Sequence, residues 1–87
     1  MMQLPPDKDG NNPVHFAAKA KNPHSVRILL GDGYDVNAKN KNGRTAMHIA
    51  CEQGCDEVIA KLARHGADPL LTDNDGNTAW SLVKRIL

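Results

Sequence analysis

Residues 42–50 read NGRTAMHIA and belong to the one complete copy, spanning 40–73, of a pattern that occurs three times in this chain. Related stretches stand before it, DGNNPVHFA at 9–17, and after it, DGNTAWSL at 75–82. If Gly10, Gly43 and Gly76 are taken as one position, they are spaced by 33 residues twice over. Self-similarity at a period of this size is the signature of stacked repeats. The sequence therefore predicts a repeat architecture.

The middle copy predicts two helices joined by a turn. Thr45 can cap the first helix by accepting from its orphan amides, and Pro13 suits the first helical position of the preceding copy. Gly54 can end the helix in a left-handed conformation. A second helix is expected from about Asp56, because the apolar residues that follow fall on one face. Residues 69–76 are polar and turn-rich, which indicates an extended loop or hairpin.

Longer stretches of the first two copies fit one known pattern. The first copy contains NPVHFAA at 12–18, VRILL at 26–30 and GYDVNA at 33–38, and the second contains TAMHIAC at 45–51 and GADP at 66–69. These stretches resemble ankyrin repeats, whose usual signature is a Thr-Pro-Leu-His-like start, an Ala-Ala pair, a Val-Val-x-Leu-Leu second helix and a Gly-Ala-Asp-Val-Asn end. The resemblance covers nearly all of residues 7–87. It implies an all-α repeat solenoid, an ankyrin-type helix-turn-helix-hairpin stack.

The resemblance also divides the chain into units. The expected divisions are a flexible lead at 1–6, ankyrin-like repeat 1 at 7–38, repeat 2 at 39–71, and a partial repeat 3 at 72–87 with a hairpin and one helix. Departures from the family pattern occur at Lys21, where a glycine is usual between the helices, and at Pro23 and His24, where the second helix should begin. Ser81 replaces the histidine of the third copy. The first three departures concern the geometry of one turn, not the fold.

The composition describes one small soluble domain, with 87 residues of which 40% are hydrophobic and 24% are charged. A net charge of +1 argues against nucleic-acid or membrane partners, since either surface would be expected to show a basic excess. The chain has no apolar run of membrane-spanning length and no signal-peptide pattern. Two cysteines without disulfide-framework spacing favour a reducing compartment, cytoplasmic or nuclear, or the host cytosol if the chain belongs to a secreted bacterial effector.

No residue set in the sequence indicates catalysis, a metal or a cofactor. His15 and His48 recur at the repeat period, and the resemblance implies that each bonds the backbone near the neighbouring hairpin. His48, Cys51 and Cys55 could share a helix face toward a metal, with His65 as a fourth ligand. However, Cys51 occupies the small second position of the alanine pair, and the helix is expected to end before Cys55. P-loop, Rossmann and nucleophile-elbow patterns are also missing, so an enzyme is not expected.

The resemblance implies a protein-binding strip made of the hairpin tips and the exposed side of the first helices. Projected by phase, the strip contains Lys8, Asp9, Asn11, Lys19, Asp32, Lys39, Lys41, Asn42, Arg44, Glu52, Gln53, His65, Asn74, Asp75 and Asn77. Arg44 and the neighbouring Tyr34 are the candidate anchors, because interfaces draw most of their energy from a few aromatic or arginine side chains. Lys39, Lys41 and Arg44 surround one hairpin, which suggests an acidic feature on the partner. For most of the strip, simple solvation is the alternative interpretation.

The end of the third copy predicts an exposed apolar face. A helix from Thr78 would carry apolar residues without a second helix of its unit to cover them, and the expected terminal face consists of Trp80, Val83, Ile86 and Leu87. Fewer than three full repeats is below the usual requirement for a stable stack. The alternatives are therefore a fragment of a longer repeat array, a face completed by a partner or a second copy, and a frayed end.

Asn37 is a candidate modification site. Leu29 followed by DVNA at 35–38 resembles the hairpin sequence that asparaginyl hydroxylases accept in ankyrin repeats. In the alternative interpretation, Asn37 is simply the consensus hairpin residue.

Two function classes remain after these exclusions. The preferred one is a protein-protein interaction module that binds its partner through the strip and forms part of a larger protein. The alternative is an internal structural segment that packs against the rest of a larger enzyme or effector.

Overall fold

Two helix pairs form the body of the protein in the computed structural model, which describes residues 5–83. The helices are α1 (Pro13–Lys19), α2 (Pro23–Gly31), α3 (Ala46–Gln53) and α4 (Asp56–Arg64), followed by a 3₁₀ turn at Trp80–Leu82. Within residues 5–83 the only β pairing is an isolated bridge between Thr72 and Thr78. The all-α repeat fold is confirmed.

A side-chain cap starts the first helix of each pair, and the cap at Thr45 was predicted from the sequence. The Asn12 side chain accepts from the amides of Val14 and His15, and Pro13 takes the first helical position of α1. Thr45 caps α3 by accepting from the amide of His48. A side-chain oxygen at this position satisfies donors that the helix itself leaves unpaired.

The turn inside each helix pair has the same left-handed backbone in both units. Gly54 ends α3 with φ of 72°, and Lys21, one period earlier, adopts φ of 57°. Lys21 therefore takes the conformation that the family pattern assigns to glycine, at a steric cost. α2 then starts at Pro23 with Asn22 as its cap, because the ring of a first-position proline costs no helical hydrogen bond.

Three hairpins of one geometry connect and flank the helix pairs. Each is organised by a side-chain oxygen that accepts two backbone amides across the turn: Asp7 from Asp9 and Asn11, Asn40 from Asn42 and Arg44, and Asp73 from Asp75 and Asn77, at 2.8–3.0 Å. Consecutive tips are also joined by main-chain bonds. The Lys41 amide donates to the Asp9 carbonyl at 3.0 Å, and the Asn74 amide donates to the Asn42 carbonyl at 2.9 Å.

Small and branched aliphatic side chains fill the core between the helices. Its buried members include Val14, Ala17, Ala18, Val26, Leu30, Ala46, Met47, Ala50, Cys51, Val58, Leu62 and Ala79. Alanines at the centre of the first helices permit close approach, so burial comes from tight packing of small groups instead of large aromatic ones.

One buried histidine connects each of the first two units to the following hairpin. His15 Nε2 donates to the Arg44 carbonyl at 3.0 Å, while His15 Nδ1 accepts from the Asn12 amide. His48 repeats the arrangement, with Nε2 at 2.9 Å from the Asn77 carbonyl and Nδ1 accepting from the Thr45 amide. The predicted structural role of both histidines is confirmed.

The predicted helix from Thr78 is wrong for the residues described. The chain forms one 3₁₀ turn, Trp80–Leu82, and Val83 is already extended, with φ of −65° and ψ of 119°. A short helix needs tertiary packing to persist, and within residues 5–83 no second helix of this unit packs against it. Trp80 is 69% exposed, as expected. Val83 instead packs partly against the core, and the predicted face residues Ile86 and Leu87 lie outside the described residues.

Candidate interaction surface

A cleft of about 190 Å³ opens between the first and second units on the side of α1 and α3. Of the strip residues predicted from sequence, it is lined by Asn11, Lys19, Asn42, Arg44, Glu52 and Gln53. The structure thus brings together hairpin and first-helix positions that are far apart in the sequence.

A second cleft of about 370 Å³ continues from the first toward the third unit. Its lining shares Asn42, Arg44 and Glu52 with the first cleft and adds Asp73, Asn74, Asp75, Asn77 and Leu82. We refer to the residues lining the two clefts together as the concave groove.

An ion pair stands where the two clefts meet. Arg44 Nη2 lies 3.1 Å from Glu52 Oε2, and the side chains are 23% and 40% exposed. The contact is an ion pair without hydrogen-bond alignment, and Arg44 Nε has no hydrogen-bond partner among residues 5–83. Glu52 therefore already contacts the Arg44 side chain, which is largely buried, and the anchor role of Arg44 stays a prediction.

Three apolar side chains also line the groove, and the sequence interpretation missed them; we call them the apolar row. Phe16 and Ile49 line the first cleft, and Leu82 lines the second. These residues are one period apart, and Phe16 is 51% exposed. The sequence did contain a signal for this row. Phe16 and Ile49 directly follow the two repeated histidines. Each lies three residues before a predicted strip residue, Lys19 or Glu52, and residues three apart share one helix face.

The candidate anchor Tyr34 and the strip residues Lys39 and His65 do not line the groove. Tyr34 packs partly against the core and lines a separate cleft that also contains Lys39. The Lys39 ammonium donates to the Thr72 carbonyl at 3.0 Å. His65 Nδ1 donates to the Lys61 carbonyl at the end of α4. Lys39 and Tyr34 therefore do not share a surface with the Arg44 side chain, although they are close to it in sequence.

The lysines predicted for the strip at the hairpin tips are exposed, but neither lines the groove clefts. Lys8 lies in the first hairpin and Lys41 in the second. They form the rim beyond the groove, beside the exposed Asp9. Asp32, also predicted for the strip, is exposed where α2 ends.

Asn37 connects the second hairpin to the chain segment after α4. Its Oδ1 accepts from the Asp68 amide at 2.9 Å, and its Nδ2 lies 3.4 Å from the Gly66 carbonyl. The side chain is half-buried.

Burial and turn hydrogen bonds shift three pKa values. Burial lowers the pKa of the His15 imidazole below its ordinary value of 6.5. The backbone hydrogen bond from Asn11 lowers the pKa of the Asp7 carboxyl, and the bond from Asn77 does the same for Asp73. A carboxylate that accepts amide donors favours its charged form, whereas a buried imidazole favours its neutral form.

Neither a metal centre nor a membrane-spanning helix is found in the described part of the chain. Among residues 5–83, no three or more His, Cys, Asp or Glu side chains are grouped so that they could hold a metal ion. Cys51 and Cys55 form no disulfide within the described residues. The helices within the same range fall short of the length and apolarity needed to cross a bilayer.

Helix pairs stacked at a fixed period and joined by hairpins define this chain as a stacked-repeat protein. The particular kind of repeat follows from comparison with known families. The family model for ankyrin repeats in three copies matches residues 2–79, and the chain belongs to the ankyrin repeat family.

Curated relatives contain this region as a small part of much longer proteins. The chain is 38% identical over 73 residues to the tyrosine-protein kinase HTK16 of Hydra vulgaris, covering 80% of this chain and 10% of the relative. It is 38% identical over 80 residues to the ankyrin repeat and KH domain-containing protein mask-1 of Caenorhabditis elegans, covering 91% and 3%. It is 35% identical over 75 residues to the mouse ankyrin repeat domain-containing protein 63, covering 82% and 19%.

Ankyrin repeats are in general non-catalytic, protein-interaction modules within larger proteins. The kinase among the relatives, and an E3 ubiquitin-protein ligase, KEG of Arabidopsis thaliana that is 29% identical over 74 residues, are larger proteins of which this chain spans only 10% and 5%.

Proposed function

We propose that this chain is a protein-interaction module that binds a segment of a protein partner along the concave groove and the hairpin tips beside it. The observation that supports this most strongly is the apolar row of Phe16, Ile49 and Leu82, set in a groove with polar sides. A concave site with apolar contacts at its centre and polar groups around them is the usual arrangement of a binding surface.

Rigidity of the groove supports the proposal. The histidine bonds to the Arg44 and Asn77 carbonyls hold the hairpins against the helices. The tips are joined by the Lys41 and Asn74 amides. A surface that is ordered before binding loses less entropy when the partner arrives, so more of the contact energy remains as affinity.

Phe16 is the side chain on which the partner is proposed to depend most. It is an aromatic group that is half exposed in a cleft lined mostly by polar residues, and aromatic side chains are frequent anchors of interfaces. Arg44 and Glu52 form an ion pair beside it. On binding, each of these side chains can give up part of this contact and pair with a charged group of the partner. Lys41 at the tip adds positive charge, so an acidic feature on the partner remains part of the proposal.

The alternative function is an internal structural segment that packs against the rest of a larger protein. Exposed Trp80 and Leu70, at 69% and 70%, favour it because they form apolar surface outside the groove. The small share of each relative that the chain spans is also compatible with it. In both cases we propose a reducing compartment, cytoplasm or nucleus, which is supported by the two cysteines, Cys51 and Cys55, having no disulfide-framework spacing.

Site-directed photo-crosslinking in source cells tests the proposal. A benzophenone amino acid replaces Phe16 in the groove or, as a matched control, Ile28, which is 46% exposed on α2 outside the groove. We expect the groove position to capture a separate protein that the Ile28 position does not capture. Equal capture from both positions would contradict the groove as the binding surface. Capture only of other parts of the same polypeptide would favour the structural alternative.

A further inference from the structure

The charged side chains of the concave groove are divided unevenly between its two clefts. Arg44 and Glu52 form an ion pair where the clefts meet, so their charges offset each other. The first cleft has one further residue that carries a charge at neutral pH, the exposed Lys19 at the end of α1. The second cleft has two more, the carboxylates of Asp73 and Asp75. The groove is therefore positive at its first-unit end and negative at its third-unit end.

The two carboxylates at the negative end have no ion-pair partner among residues 5–83. Asp73 Oδ1 accepts the amides of Asp75 and Asn77 at 2.9 and 2.8 Å. The bond from Asn77 lowers the pKa of the Asp73 carboxyl, so this group is ionised at neutral pH. Asp75 is exposed. Lys39 comes near this hairpin, but its ammonium donates to the Thr72 carbonyl at 3.0 Å and the residue lines a different cleft.

Apolar side chains lie in both clefts. Phe16 and Ile49 line the first cleft, and Leu82 lines the second. A bound segment can bury its own apolar side chains against this row, but such contacts are non-directional and do not distinguish one end of the segment from the other. Charges at the two ends do distinguish them, since complementary charges select a partner and fix its register.

We propose that the groove selects a protein segment with opposite charges at its two ends: a lysine or arginine against Asp73 and Asp75, an acidic side chain against Lys19, and apolar side chains between them. This inference rests on the proposed function and adds the charge pattern and the direction of the occupant. Two carboxylates in one cleft also reject an acidic residue at that end, because like charges brought together cost free energy. The acidic feature of the partner is thereby confined to the first-unit end and the rim beside it.

A random peptide library displayed on phage is the probe, and it is selected against the full 87-residue chain. Binders count as groove-dependent when they fail to bind Phe16→Ser, whose fold is verified by circular dichroism. We expect groove-dependent peptides to be enriched in lysine or arginine on one side of an apolar residue and in aspartate or glutamate on the other. Groove-dependent peptides without this charge pattern would overturn the inference but leave the proposed function standing. Failure to obtain any groove-dependent peptide would overturn both.

Charge variants assign the pattern to the two ends of the groove. Asp75→Asn should weaken binding of an enriched peptide about two- to fivefold in fluorescence anisotropy, the range for exposed charge pairs. Asp75→Lys should reverse the selection at that end, toward acidic residues. Lys19→Gln should remove the acidic preference and leave the basic one. The matched control is Glu57→Gln, which removes an exposed carboxylate on α4, outside the groove. Equal weakening by this control would assign the effect to net charge alone and overturn the proposal.

Two basic residues of the chain itself are the competing occupant of the negative end. Lys84 and Arg85 come shortly after Leu82 in the sequence and lie outside the described residues. We expect the preference for basic peptides to be present in the wild type and to be retained in the double variant Lys84→Gln, Arg85→Gln. A preference that appears only in the double variant would show that the chain itself neutralises this end, and it would overturn the proposal.

Discussion

His48 Nε2 donates to the main-chain carbonyl of Asn77 across 2.9 Å and thereby connects the second helix pair to the third hairpin. The same ring accepts the Thr45 amide through Nδ1, so one fully buried side chain closes a helix cap and joins two units. Removing it takes this partner from the buried Thr45 amide and from the Asn77 carbonyl, and it leaves a cavity.

We therefore expect His48→Ala to cost about 2–4 kcal/mol in unfolding free energy. Small domains have little stability to lose, so the variant should be largely unfolded at room temperature. Urea titration followed by circular dichroism measures the effect. The control is His65→Ala, which removes an exposed histidine whose Nδ1 donates to the Lys61 carbonyl. Equal stability of the two variants would contradict the assigned role of His48.

Lys21 occupies the left-handed position that Gly54 takes in the next unit. Replacing Lys21 by glycine should raise the unfolding free energy by about 1 kcal/mol, because the strain of a side chain at positive φ is relieved. Gly54→Ala should lower it by a similar amount, and open space around Gly54 means that only backbone strain contributes. Thermal unfolding of the two variants and the wild type measures both changes in stability. A Lys21→Gly variant that melts below the wild type would show that lysine is not strained there.

Stability should fall with acid in two stages. The folded pKa of His15 lies below the ordinary 6.5, so its contribution is complete above pH 6.5 and is lost as pH falls through the folded value. The folded pKa of Asp73 and of Asp7 lies below 3.8, so their contributions are complete above pH 3.8 and are lost below it. Urea midpoints measured from neutral pH downward should show both declines.

Two variants separate the stages of the acid response. His15→Gln should remove the first decline, judged by the slope of stability against pH and not by its absolute value. Asp73→Asn should diminish the second while keeping the hairpin, because Asn40 already organises the equivalent turn with an amide oxygen. A pH slope between neutrality and pH 5 that persists in the His15 variant would assign that decline to other groups.

The ion pair of Arg44 and Glu52 should contribute little to stability. Pairs exposed to this degree are typically worth about 0–1 kcal/mol. A double-mutant cycle with Arg44→Ala and Glu52→Ala should give a coupling energy in that range. We expect Arg44→Ala to weaken binding of the partner identified by crosslinking while the domain remains folded. Unchanged affinity would remove Arg44 as an anchor.

Hydroxylation of Asn37 should be slower in the folded chain than in a peptide that covers the hairpin. The Asn37 side chain is half-buried and bonded to the Asp68 amide, so an enzyme must first open the segment locally. Intact mass after incubation with an asparaginyl hydroxylase and its cosubstrates should increase by one oxygen atom, and Asn37→Ala should abolish the increase. No increase in either the chain or the peptide would exclude Asn37 under those conditions.

Local rules explain what the sequence predicted well. Thr45, Gly54 and Asp56 set helix bounds through capping and left-handed backbone, which depend on residues within one turn. The period then carried the helix assignments to the first unit, but it left the turn at Lys21 open, and there the lysine adopts the backbone of the missing glycine.

The predictions that failed depend on tertiary contacts, which the repeat period does not specify. Phase alone placed Tyr34 beside Arg44, yet Tyr34 turns toward the core and lines a different cleft. Phe16 seemed an ordinary apolar helix residue, although no neighbour covers it fully. The helix predicted from Thr78 failed because its propensity was not matched by a packing partner among residues 5–83.

The hairpin tips are joined by main-chain bonds, from Lys41 to Asp9 and from Asn74 to Asn42. Gly10 and Gly43 are constrained there, since an added Cβ would lie 3.0 Å from the Lys41 amide nitrogen at Gly10 and 2.5 Å from Asn74 Oδ1 at Gly43. Because amide and carbonyl groups are common to all residues, the tip side chains can be exchanged without undoing the junctions. Evolution can thus alter what the rim recognises independently of how the units stack, and a randomised library at positions 8, 41 and 42 would retain the scaffold while sampling new specificities.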